Sequence, residues 1–154
     1  MTYKEYREKT QSEFNALPIF WAFSNKQLEE QLVKRGYTLE DASKVLYRFG
    51  NGGFYLRSDS ETIKEFFKVD HNAQLRDLME SDHKFAQEAF EYEMANHEYP
   101  INWQGDWDVC SVFGDVEYDE EKGGREYLQE LGFSEAVIGL YGIASRNVRR
   151  AFDW

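Results

Sequence analysis

Residues 3–14, "YKEYREKTQSEF", set charged side chains around a few aromatic ones and predict a short helix. "LPIFWAF" (17–23) is a compact apolar run that predicts a buried strand ending at Ser24. A helix follows: Ser24 is its N-cap, Gln27 the capping-box partner and Gly36 its stop, with Leu28, Leu32 and Val33 facing inward. Thr38 caps a short turn or helix. "KVLYRFGNGGFYLRS" alternates apolar and polar positions on both sides of "GNGG", the pattern of a β-hairpin. Ser58 and Glu61 form a second capping box, opening a helix whose apolar positions are Ile63, Phe66 and Phe67, then Leu75, Leu78 and Met79. "VDHN" is the expected break between those halves. Helical periodicity resumes over 82–98, in "REYLQELG" and in "SEAVIGLYGIASRNVRRAF", with Gly132 as a stop, Ser134 as a cap, and Gly139 and Gly142 either weakening the last helix or letting it pack closely. The order predicts an α+β fold, a small antiparallel sheet of about three strands wrapped by five or six helices.

A chain of 154 residues with 42% hydrophobic and 17% aromatic content is expected to fold as a single domain over 1–154. Its apolar runs are too short to span a membrane, and "MTYKEYREKT" lacks the apolar stretch of a signal peptide. One cysteine allows no intramolecular disulfide, and a cytoplasmic location is expected. Charge changes the picture most. Residues 1–77 carry 12 Lys+Arg and 12 Asp+Glu, whereas residues 78–154 carry 6 and 17, so the whole net charge of −11 lies in an acidic C-terminal half. Such a chain has no basic field for nucleic-acid phosphate; its acid either favours a partner with a basic surface or serves only solubility.

The densest chemistry lies in "AFEYEMANHEYPINWQGDWDVC" (89–110). On a helix over 82–98, Ala86, Phe90, Met94 and His97 share one face, Phe85, Ala89 and Tyr92 a second, and Glu88, Glu91 and Glu98 the watered side with Lys84. Glu93 stands four residues before His97, within reach of it. That pair is either a general base with its orienting acid, half of a metal site, or a partly buried histidine fixed by a carboxylate; the last is preferred. His83 lies about 21 Å of helix rise away and His71 falls on another element, so no metal site and no cofactor are expected. Asp106 reads as an N-cap, Asp108 as a first-turn acid, and Cys110 as a buried inert thiol. Gly50, Gly52 and Gly53 precede a strand rather than a helix, which favours a plain turn over a phosphate cradle.

Three pieces taken together, "LPIFWAFSNKQLEEQL", "GNGGFYLRSD" and "YEMANHEY", resemble a family of small uncharacterised proteins from bacteria and their phages. The family is marked by an aromatic-Phe-Ser-Asn segment, a Gly-Gly-Phe hairpin and an Ala-Asn-His-Glu-Tyr helix end. The resemblance spans about residues 17–99. It implies a phage or mobile-element setting and no catalytic role. The expected function is therefore non-catalytic binding and modulation of a host macromolecule, with acidic mimicry of nucleic acid as one route. The partner is a host protein with a basic surface, met by Asp115, Glu117, Asp119, Glu120 and Glu121; neither direct nucleic-acid binding nor membrane attachment is expected. The alternative is a small enzyme or ligand binder using Glu93 and His97.

Overall fold

Three short strands make one antiparallel sheet, and all three lie between Phe20 and Leu56. A computed structural model describes residues 1–152, in two compact units: Glu8–Val69, and Met1–Arg7 with the chain from Asp70 onward. Helix α1 (Tyr3–Asn15) contributes its first turns to one unit and the rest to the other.

The sheet unit contains β1 (Phe20–Trp21), α2 (Asn25–Lys34), the single turn α3 (Ala42–Val45), β2 (Leu46–Phe49), β3 (Gly53–Leu56) and α4 (Ser60–Lys68). Strand order is β1-β3-β2, with Phe20 opposite Phe54, and Leu46 opposite Leu56. Alternation puts Phe20, Leu46, Phe54 and Leu56 together with Leu28 and Leu32 of α2. Phe49 meets Phe14 and Phe67, and Phe66 packs on both of those phenylalanines' neighbourhood through Phe14 and Phe67. The hairpin turn uses positive φ at Gly50 and Gly52. Gly52 also has no room for a side chain, since a Cβ there would lie 2.3 Å from the Phe23 ring.

Several local expectations need correction. The strand expected over 17–23 is two residues long, because the chain turns into α2 and Phe23 N–H donates to Gln27 Oε1 at 2.8 Å. Ser24 caps α2 through Gln27 N–H, so Gln27 reaches the residue before the cap rather than the cap itself. Phe23 is 75% exposed, and Val33, Phe67 and Leu78 are exposed too. Val33 and Leu78 lie beside Leu32 and Met79, which take the buried positions of their helices. Val45 closes α3 instead of opening β2. Ser58 does not cap a helix: β3 runs into a 3-10 turn, Arg57–Asp59, and α4 begins at Ser60.

The second unit is helical: α5 (His71–Ser81), α6 (His83–Asn96), α7 (Gly105–Cys110), α8 (Gly124–Glu130) and α9 (Glu135–Ala151). Side-chain caps start three of them, Asp70 on Ala73 N–H, Asp82 on Phe85 N–H and Ser134 on Val137 N–H. Helix α6 packs most extensively on α9, where Ala86 and Ala89 of one and Ala144 of the other are fully buried. Phe90 sits edge-on to Phe113 at 5.4 Å and to Tyr141 at 5.2 Å between ring centroids. The α+β class and the three-stranded sheet are as expected. The helical segments among the described residues outnumber the expected five or six, because short pieces such as the four-residue α3 carry too little periodicity to be counted separately.

Candidate functional site

Helix α6 carries Glu93 on its inner side, and the residue is 1% exposed. Oε1 accepts hydrogen bonds from Tyr3 O–H at 2.8 Å and Arg7 Nη1 at 2.7 Å, both on the first turns of α1. Oε2 lies 3.6 Å from Nε2 of His97, the C-cap of α6. The i,i+4 neighbours therefore do approach each other, but Glu93 is engaged mainly by Tyr3 and Arg7. Burial, and then the Glu93 charge, push the Tyr3 hydroxyl well above its usual range, so it stays a donor. Arg7 also lies 4.5 Å over the Tyr92 ring. A buried carboxylate so enclosed is held in place; as a base it would have to leave two donors first.

Asp106 does something other than the expected capping. Gln104 holds the N-cap position of α7, and Asp106 Oδ1 accepts from Tyr99 O–H at 2.9 Å and Tyr141 O–H at 2.6 Å. Both hydroxyls are shifted upward, chiefly by burial, with the Asp106 charge adding to it. Asp106 Oδ2 has no hydrogen-bond partner among the described residues. Gly124 permits this close assembly, since a Cβ there would lie 2.4 Å from the Tyr141 ring. Asp108, in the first turn of α7 as expected, accepts from Asn102 Nδ2 at 2.6 Å. Cys110 is buried and its thiol is pushed up to about 12, first by desolvation and then by Asp106, which makes it a poor nucleophile.

Beside Asp106 lies a polar cavity of about 200 Å³, with Tyr99, Trp103, Tyr118, Asp119 and Glu120 among its walls. Trp103 is 80% exposed and meets Tyr118 edge-on at 5.8 Å; Trp107 meets the same ring at 5.8 Å. The acidic connection between Gly114 and Gly123 forms no regular element but is anchored. Trp107 Nε1 donates to Val116 O at 2.8 Å, and the Tyr127 hydroxyl bonds both the carbonyl and the N–H of Asp119. Lys122 pairs with Glu130. Asp115, Glu117, Glu120 and Glu121 are exposed and Asp119 is half-buried. Periodicity could not reveal the cavity, since its walls come from loops and from single residues or short stretches of α7, α8 and α9. The clustering of Trp103, Trp107 and Tyr118 around acids was the one available signal.

A larger open cavity of about 640 Å³ belongs to the sheet unit, lined by Phe23, Ser24, Asn25, Arg48, Gly52 and Phe54 among others. It brings the Phe-Ser-Asn segment and the glycine hairpin to one place, which their spacing in sequence did not show. Among the described residues no three of His, Cys, Asp and Glu converge to hold a metal ion, and no helix is long and apolar enough to cross a membrane. Charge divides as sharply between the units as between the sequence halves. Glu8–Val69 has nine basic and nine acidic residues; the remainder has nine basic and twenty acidic.

A model of a family of unknown function, DUF7659, matches residues 2–109. The match takes in the sheet unit, α5, α6 and most of α7, and ends before the acidic connection, α8 and α9. No curated protein and no solved structure matches the chain.

Proposed function

The chain belongs to the DUF7659 family of unknown function, and on that premise we propose that it is a non-catalytic protein that binds and modulates a host macromolecule in a phage or mobile-element setting. The partner presents a basic surface, and the acidic helical unit engages it as nucleic acid would. One observation carries this reading: the entire net charge falls on one unit, with Asp115, Glu117, Glu120 and Glu121 exposed on an anchored connection. Like charges on an ordered surface repel one another, and a bound basic surface relieves that repulsion. The field also speeds encounter with a complementary partner. Glu93 and His97 support catalysis less well, because Tyr3 and Arg7 already occupy the carboxylate.

The test uses the full chain against a host protein captured at low salt and then purified. Association should be fast and should slow steeply as salt rises, since the screening length falls to about 8 Å at physiological ionic strength. Changing Asp115, Glu117 and Glu121 together to Ser should slow association by about tenfold at low salt and leave dissociation nearly unchanged. A variant that associates at the wild-type rate, with the same salt dependence, would reduce the acidic connection to a solubility feature.

A further inference from the structure

We infer that the cavity beside Asp106 receives a single arginine side chain of the basic partner; this rests on the acidic-surface reading above and names the contact at its centre. Its volume, about 200 Å³, is below the range of about 300–1,000 Å³ typical of small-molecule and cofactor sites. One long side chain fits that space. Its chemistry suits a cation. Tyr99 and Tyr141 hold Asp106 through Oδ1, leaving Oδ2 without a protein donor among the described residues. A guanidinium N–H donating to Oδ2 would complete the carboxylate. Trp103 and Tyr118 stand edge to face at the cavity and offer the aromatic surface on which a planar guanidinium stacks. Trp103 carries 80% of its surface to solvent, a large aromatic group with little to cover it. Exposed tryptophan and tyrosine beside an arginine are the residue types that dominate binding at protein interfaces.

The two cations at the cavity already have partners, Lys122 outside it and Arg149 on its Tyr99 wall. Lys122 is paired with Glu130, which raises the pKa of its ammonium. Arg149 lies 5.0 Å over the Tyr99 ring, and its Nε donates to Ser145 Oγ at 3.3 Å. Asp119 and Glu120, also at the cavity, add negative charge. The site is thus an aromatic wall, an anchored carboxylate and an acidic rim, brought together from the segments around Trp103–Asp106 and Tyr118–Glu120.

The experiment titrates the full chain with a capped Gly-Arg-Gly peptide while following the indole N–H of Trp103 by NMR. The matched citrulline peptide keeps the shape and removes the charge. A saturable shift with the arginine peptide, at least about tenfold weaker with citrulline, is expected. Trp103→Ala, at an exposed position, should weaken arginine-peptide binding by about tenfold without loss of folding. Asp106→Asn keeps an oxygen for the two tyrosines and should weaken it similarly. Equal binding of the two peptides, no saturable shift, or wild-type affinity in a folded Trp103→Ala chain would each overturn the inference. The Ser substitutions at Asp115, Glu117 and Glu121 lie outside the cavity wall. Slowed partner association in that variant, with no arginine-peptide binding to the wild-type chain, removes the cavity inference alone. Arginine-peptide binding at Trp103, with partner association indifferent to the Ser substitutions, removes the broader acidic-surface reading alone.

Discussion

Two residues paired by sequence spacing, Glu93 and His97, have very unequal structural weight. Glu93 is sealed, and its Oε1 answers two donors from α1. His97 ends its helix with its side chain 31% exposed and its ring 3.6 Å from Oε2, longer than a good hydrogen bond. Removing Glu93 takes away the carboxylate oxygen that the Tyr3 hydroxyl and the Arg7 guanidinium share and leaves a buried cavity; removing His97 deletes a partly exposed ring and leaves both of those hydrogen bonds in place. Glu93→Ala should therefore lower unfolding free energy by about 3 kcal/mol, and His97→Ala by less than about 1 kcal/mol. Urea unfolding of the two variants beside wild type checks the order. A larger loss from His97 would mean that the histidine, and not α1, is the chief partner of the carboxylate.

At the scale of the element, two glycines have opposite roles. Gly52 combines a φ of +85° with a Phe23 ring where its side chain would be. Gly52→Ala should cost about 2 kcal/mol through left-handed strain and displacement of Phe23. Gly139 lies inside α9 with nothing within 4 Å of its Cβ position, so it does not serve close packing. Gly139→Ala should stabilise by about 0.5–1 kcal/mol, by helix propensity and reduced freedom of the unfolded chain. Thermal or urea unfolding of both variants shows whether the signs differ as expected. Stabilisation by Gly52→Ala would contradict the hairpin geometry. The helix starts at Ser24, Thr38 and Ser134 were legible because a cap acts on a backbone N–H only about three residues away. The start at Ser58 was misread because the chain leaving β3 spends Arg57–Asp59 in a tighter turn.

For the whole molecule, the surplus of acid on one unit sets a dependence on ionic strength. Twenty acidic residues against nine basic ones repel over about 30 Å at 0.01 M salt and over about 8 Å at 0.15 M. Raising sodium chloride between those values should raise the thermal midpoint by about 3 °C, on the order of 1 kcal/mol. The chain with Ser at 115, 117 and 121 should start higher and gain less. A midpoint indifferent to salt in both chains would mean that local pairs such as Arg125 with Glu135 already balance the surface.

The sequence by itself determined what acts over a few residues. Caps, the glycine turn, the period of α6, the approach of Glu93 to His97 and the uneven charge all follow from backbone geometry and composition. The tertiary structure alone decided which distant groups meet. Glu93 takes its donors from residues 86 and 90 positions away, and Asp106 takes one from Tyr141, 35 positions on. It also decided that Phe23 and Trp103 face water while Leu32 and Phe90 do not. The physical reason is that a local bond forms wherever the backbone is regular. A buried carboxylate or a covered ring, in contrast, depends on which surfaces pack together, and no spacing along a single chain specifies that.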